Sequence, residues 1–444
     1  MAERAVKAVG PRLPIRTQIG FAMGSFVTGP FGTVPGLVLL QYLTDTMAIP
    51  AAIAGVIVVV PKAWDVLFNP VAGRLSDGHF ARTGSRLPYM LLGGIGVAVT
   101  FAALFAHPDF GGRTWLDAGY VVLVFFLCAT AFAFFQVPYN ALPAELTDDY
   151  AQRTRLTSWR IAFLALAILA SGGGVPLITD AVEGVAGYRI MGVVVGVIIV
   201  SAAIAVFFIL RRAPVSALRQ PTPRWRELLA VLKSWRPFRW LLGIYFVQSL
   251  GVSTLLAGVP YMARDGLDAS GLRTPLFAGF VGPALVVMPL CVVLSDRLGK
   301  VAGLRIFTVV FGIAMLGLLG SPVLPLAVVF FFVALAGIGY AGMQVFPLAI
   351  LPDLIAAEEE RTGNTTAGVA AGVWTAADTL GLALGPGLFG VIIQIGGYVP
   401  SLDGSAIQPD SAVTAIFVGF ALVPAILVLT ALPLARRKLL DLRA

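Results

Sequence analysis

Apolar stretches long enough to cross a lipid bilayer recur along this chain from one end to the other. A spanning helix needs roughly 20 mostly apolar residues, and such segments fall at about 17–46, 51–74, 88–106, 117–143, 157–179, 187–210, 237–262, 275–296, 303–320, 324–352, 365–397 and 411–434. The first and eleventh are long and interrupted by Gly and Pro. With 58% hydrophobic and 12% charged residues and a mean hydropathy of +0.90, the composition is that of an integral membrane protein. The expectation is an all-α membrane protein of twelve transmembrane helices with the lipid bilayer as its partner.

Basic residues set the orientation, because Lys and Arg favour the cytoplasmic side of short loops. With both termini placed inside, the exceptions among the 31 Lys and Arg are Lys62, within the second segment, and Arg113, Arg189, Arg264 and Arg273 in outside loops. This bias supports an even helix count, a cytoplasmic (inner) membrane location and both termini in the cytoplasm. It also explains the net charge of +8 without nucleic acid, since the basic residues are spread over many loops. No short apolar core with a small-residue cleavage site opens the chain, so the first helix is expected to do the targeting.

The two halves repeat each other. Leu75-Ser76-Asp77 recurs as Leu294-Ser295-Asp296; Gln136-Val137 and Arg153-Thr154 recur as Gln344-Val345 and Arg361-Thr362; Leu142-Pro143 recurs as Leu351-Pro352. Helices 4 and 10 therefore correspond. An even-numbered repeat in one orientation predicts two bundles related by an axis along the membrane normal, with a site between them. The expected units are residues 1–212 and 237–444, joined by a Pro- and Arg-rich cytoplasmic linker at 213–236, in a monomer.

Asp65 lies deep in the second segment, where an ionisable group costs about 3 kcal/mol and normally faces a partner or a wet cavity. Lys62, Asp65 and Asn69 follow an i, i+3, i+7 pattern and share one helical face. They are the candidates for cation or proton coupling, and a structural Lys62–Asp65 ion pair is the competing reading. Gln136 with Asn140, Tyr340 with Gln344, and Trp374 with Asp378 form i, i+4 pairs in other apolar runs; Tyr245 and Gln248 join them on the seventh. Aromatics beside amide and carboxyl groups suit a sugar-like solute, although polar side chains also bridge membrane helices. Cys128 and Cys291 fit inert packing. The chain carries no P-loop, GxSxG or HExxH motif, and His79 and His107 are expected to be solvated at helix ends. No enzyme, resident cofactor or metal is expected.

Three blocks carry a resemblance: WDVLFNPVAGRLSD from Trp64, with its continuation to RLPY; VPYNALPAELTDDYAQRTRLTSWR from Val137 to Arg160; and ERTGNTTAGVAAGVWTAADTLGLALGPGLFG from Glu360 to Gly390. Together they resemble the major facilitator superfamily and, within it, the glycoside-pentoside-hexuronide:cation symporters, the group that contains melibiose permease. The resemblance implies alternating access around a central cavity. It also implies a coupling cation held by a Trp-Asp pair and a second Asp four residues on. Here those positions are Asp65 and Asn69. An acidic residue that melibiose permease carries ahead of its helix 4 Pro is matched by Gln136, and a helix 11 Lys that many members carry by Thr379, with Asp378 alongside. The site is therefore depleted in charge, which favours H+ over Na+ as coupling ion and leaves uncoupled transport or another driver open.

Arg74, Asp77 and Arg86, then Glu145 and Arg153, then Asp353, Glu359 and Arg361, place both signs at the expected cytoplasmic mouth, where salt bridges can close one state and open in the other. Arg160 matches an Arg the family retains and is expected at a helix end or gate. The favoured reading is a secondary active transporter, a symporter moving a small organic solute, with a sugar or glycoside first. A lysolipid, amphiphile or drug-like solute, or a non-transporting sensor on the same fold, are the alternatives.

Overall fold

The computed structural model describes residues 13–435 apart from 109, 112, 148, 183, 214–233, 364–366 and 403–405. Among the described residues there is no strand, and twelve helices are long and apolar enough to span a membrane. They are α1 (Ile15–Thr46), α2 (Ala51–Thr83), α3 (Leu87–Phe105), α4 (Thr114–Leu146), α5 (Gln152–Ala181), α6 (Val185–Leu210), α7 (Arg236–Gly266), α8 (Ser270–Ser295), α9 (Lys300–Leu318), α10 (Leu326–Thr362), α11 (Gly368–Ile395) and α12 (Asp410–Thr430). Most of the expected linker, residues 214–233, lies outside the described residues.

Two helices run well past the ends that hydropathy predicts. The apolar runs stop near 74 and 352, but α2 and α10 continue to Thr83 and Thr362. What ends them is glycine: Gly84 and Gly363 take left-handed φ of 72° and 69°, and their N–H groups return to the carbonyls of Phe80 and Glu359. A residue without Cβ accepts that conformation at little cost, so these glycines cap the helices. A wide π turn, Pro35–Leu39, interrupts α1, whereas α11 remains helical through Pro386.

The halves meet through α1 on α7, α2 on α11 and α5 on α8. At the end where α1 finishes, small residues bring backbones together. A Cβ at Gly55 would lie 2.9 Å from the Cα of Gly387, and one at Gly390 would collide with the carbonyl of Ala51. The GLALGPGLFG run thus packs as its small residues lead one to expect. One apolar core fills the N-terminal half and continues across this end into α7, α8 and α12. The opposite end of the C-terminal half has its own core, around Phe238, Phe346 and Trp374. The halves therefore share packing at one end, and we call this the joined end.

Gly390→Val should oppose the joined end by overpacking, at a cost of about 1–3 kcal/mol. A lower melting temperature in detergent, absent from Leu384→Val on the exposed side of the same helix, would register it; equal melting in both would remove close packing as the role of Gly390.

Candidate solute and cation site

On α2, Lys62 and Asp65 are buried, 5% and 2% exposed. They do not form an ion pair: the Lys62 ammonium donates to the carbonyl of Gly32 on α1 at 3.4 Å, and no Lys62–Asp65 contact falls among the described salt bridges. The two charges still act on each other across the helix face, without the direct contact that a locking pair would make. Asp65 Oδ1, Asn69 Oδ1 and Gln136 Oε1 are all buried without a hydrogen-bond donor. The helices holding them are set in register by Trp64, whose indole N–H donates to Thr130 Oγ1 at 3.0 Å, and by the Phe68–Phe134 ring contact at 5.6 Å. That register brings Asn69 on α2 level with the stretch of α4 that carries Gln136. Buried oxygens without donors are uncommon because each forfeits its hydration, so this face of α2 and α4 is primed for a proton, a cation or a hydroxyl-bearing solute. Asn140, one turn on from Gln136, is exposed.

A second cluster stands in the C-terminal half. Tyr245 donates to Gln344 Oε1 at 2.8 Å, and Gln344 Nε2 donates to the Tyr340 hydroxyl at 3.1 Å. Trp374 stacks on Tyr245, with ring centroids 4.4 Å apart. Ser249 donates to Asp378 Oδ1 at 3.2 Å. The structure thus gathers Tyr245, Tyr340, Gln344, Trp374 and Asp378, with Ser249 added to the set read from sequence. Thr379 is half-buried beside Asp378. Gln248 does not join them. Its amide donates to Thr308 of α9 at 2.9 Å, which bridges the two helices, and its Oε1 is buried without a donor.

The charged residues expected at the mouth pair within their own halves. Arg86 is buried and reaches both Asp77 and Glu145 at 2.5 Å; Lys300 reaches Asp353 at 2.5 Å. The offset that maps Gln136 onto Gln344 also maps Glu145 onto Asp353, so the repeat is kept in its ion pairs. Arg361 binds Glu358 through two nitrogens, at 2.9 and 2.7 Å, rather than Glu359, because i, i+3 on α10 brings that side chain alongside. Arg153 donates to the Thr147 carbonyl at 2.8 Å, and Arg74 is exposed. Arg160 lies over the Tyr139 ring, 4.6 Å from its centroid, while its carbonyl accepts from Ser25 at 2.9 Å. It anchors α5 to α1 and α4.

The joined end holds a polar network that the sequence did not announce. Arg264 of α7 donates to Asp45 of α1 at 2.5 Å, to Asp265 at 2.8 Å and to the Tyr398 hydroxyl at 2.6 Å. Tyr398 donates to Asp45 Oδ1 at 2.9 Å, and Thr44 lies 2.9 Å from the Tyr261 hydroxyl. Burial, and then the Asp45 carboxylate, push the Tyr398 phenol up, which keeps it a donor. Arg273 of α8 pairs with Asp180 of α5 at 3.1 Å. His107, expected in solvent, is buried instead, with Nδ1 3.0 Å from the Tyr42 hydroxyl; His79 is half-buried against Tyr89.

Residues 20–441 match the family described as MFS/sugar transport protein. The chain belongs to that family. An uncharacterized symporter of Synechocystis sp. is 28% identical, over 96% of this chain and 94% of its own. A putative glycoside/cation symporter of Escherichia coli (strain K12) is 25% identical, over 94% and 90%. A bacterial homologue of the human lysosomal transporter Spinster, in an inward-facing and unoccupied conformation, shares the fold with a TM-score of 0.69 at 15% identity, covering 97% of this chain and 98% of its own. A protein of this family is an integral, multi-pass membrane protein of twelve helices, and the fold expected from the sequence agrees with that.

Proposed function

We propose that this protein is a secondary active transporter that moves a sugar or glycoside by alternating access between two six-helix bundles, residues 1–212 and 237–444, and that Asp65 takes up and releases the coupling proton. The observation that carries the coupling is Asp65 itself, a buried carboxylate within the α2 span with an oxygen that no donor meets. Such a group is costly unless it binds something during the cycle. A proton needs only that one carboxylate. The unpartnered oxygens of Asn69 and Gln136 favour Na+ as the second reading, since a hard cation takes several oxygens.

The aromatic and amide cluster around Tyr245, Gln344 and Trp374 supports a solute with an apolar face and hydroxyl groups, and the relatives' names point the same way. With the loops that carry most Lys and Arg taken as cytoplasmic, both termini are cytoplasmic, the membrane is the inner one, and the joined end faces outward. The structure then corresponds to an inward-facing state.

Purified protein in sealed vesicles, offered a panel of glycosides, pentoses and hexoses with Na+ present or omitted, tests this reading. Uptake of one sugar with alkalinisation outside supports it; dependence on Na+ moves the coupling to the second reading. Lysolipid uptake in place of sugars would establish the amphiphile alternative, and binding without flux would establish a sensor.

A further inference from the structure

Asp378 is a carboxylate within the α11 span. On α2, Lys62 and Asp65 act on each other across the helix face. Asp378 has no such counterpart: among the described residues no salt bridge reaches it, and no Lys, Arg or His acts on it through space. Ser249 gives it one neutral donor, at 3.2 Å. The Tyr245 hydroxyl also stands close, but it has a single proton, which Gln344 engages at 2.8 Å. A negative charge held this way in an apolar span is costly unless something of opposite sign comes to it.

Trp374 lies one turn before Asp378 on the same face of α11 and stacks on Tyr245, with ring centroids 4.4 Å apart. Tyr340 is near enough to feel the carboxylate. Aromatic rings carry negative charge on their faces, so three of them beside a carboxylate make its bare anion less favourable and an ammonium there more so, because cation–π contacts add to the ion pair. A proton would need the carboxylate alone, whereas the rings suit a cation with an organic body. Asp378, Tyr340 and Gln344 are only half-buried, which leaves the cluster open on one side. Asp378 also stands about 14 Å along the helix from Gly387, where α11 meets α2 at the joined end.

Resting on the transport reading above, we propose that Asp378 selects a sugar-like solute bearing a protonated amine, its ammonium held by the Asp378 carboxylate among the rings of Tyr245, Tyr340 and Trp374. A hydroxyl of the same solute meets Gln344, whose Nε2 gives one proton to Tyr340 and has a second to offer. The solute's charge is then answered in the C-terminal half and the coupling carboxylate, Asp65, lies in the N-terminal half. Each amine therefore crosses with one more positive charge than a neutral sugar would.

The test compares D-glucosamine with D-glucose and D-galactosamine with D-galactose, and each amine with its N-acetyl derivative, which keeps the nitrogen but not the charge. Vesicles carry wild-type protein, Asp378→Asn or Asp378→Glu. A charge-assisted hydrogen bond predicts about a ten- to hundredfold wild-type preference for the amine of the accepted set over both neutral forms. The preference should fall to about one in Asp378→Asn and survive in Asp378→Glu, which keeps the charge. Currents across the vesicle membrane should show one more positive charge moved per amine than per neutral sugar. Equal wild-type uptake of amine and neutral sugar, a preference shared by the N-acetyl form, equal charge moved with both, or a preference untouched in Asp378→Asn overturns this proposal and leaves sugar transport standing. Refusal of every member of both sets, with neutral glycosides and pentoses also refused, overturns the transport reading and this proposal with it. The wild-type comparison needs no variant to fold.

Discussion

Asp65→Asn protein should carry its solute only downhill. With one proton per solute, each pH unit across the membrane supports about a tenfold accumulation, since a tenfold ratio corresponds to about 1.4 kcal/mol. The amide keeps the size and much of the hydrogen bonding of the carboxylate but takes up no proton in this range, so the accumulation ratio should fall to one whatever the pH difference. Exchange of labelled for unlabelled solute, which needs no net proton movement, should persist. That split separates coupling from folding, because a damaged fold loses both. Asp65 is only 2% exposed and accepts no hydrogen bond at Oδ1, so the variant gives up no bond at that oxygen, and melting should change little. Accumulation by the variant equal to that of wild type would remove Asp65 from coupling.

The layout of this protein is legible in its sequence because a membrane imposes a simple rule. Length and polarity alone mark twelve segments, and the repeat of Gln136 as Gln344 marks the equivalence of helices 4 and 10, which the pairs Arg86–Glu145 and Lys300–Asp353 then obey. What hydropathy misreads are the ends of α2 and α10. Both helices outlast their apolar runs and stop at Gly84 and Gly363, a signal that is present in the sequence but belongs to capping rather than to polarity. Of the candidate site residues one helical turn apart, Tyr340 and Gln344 come together as the periodicity implies, whereas Gln136 and Asn140 do not, Gln136 Oε1 being buried without a donor and Asn140 exposed. Gln248 departs from this because a turn along α7 does not say which neighbour the side chain meets. The Lys62–Asp65 spacing permits an ion pair but does not require one, and Lys62 instead finds a carbonyl on α1. The network at the joined end is hidden for a different reason. Asp45, Arg264 and Tyr398 lie far apart in the chain, at helix ends where charges attract no notice, and only tertiary packing makes them neighbours.

That network sets the second large expectation. Arg264→Ala should release the joined end. Arg264 contacts Asp45, Asp265 and Tyr398, and the Arg264 and Asp45 side chains are 18% and 8% exposed. Removing one member of such a pair leaves a carboxylate poorly compensated and costs about 3 kcal/mol, close to a hundredfold in the balance between states. That cost should fall on the state in which α1 meets α7, where Arg264 bonds Asp45 and Tyr398. Spin labels at Trp115→Cys and Ile407→Cys, exposed positions in the two halves at this end, would read the separation. The native Cys128 and Cys291 are buried and compete poorly for the label. A longer distance in Arg264→Ala, partly reversed when Asp45→Asn removes the stranded charge, is the expected result. Should the distance stay unchanged while transport falls, Arg264 would act on the solute's path rather than on the closure of this end. The same cost has a kinetic meaning. A carrier must leave each state on every cycle, so a network worth a few kcal/mol slows the return to the outward-facing state unless binding of proton and solute at the Asp65 face offsets it. Arg264→Ala should therefore raise the rate at which the carrier reorients with proton bound and solute absent, letting proton leak where wild type holds it.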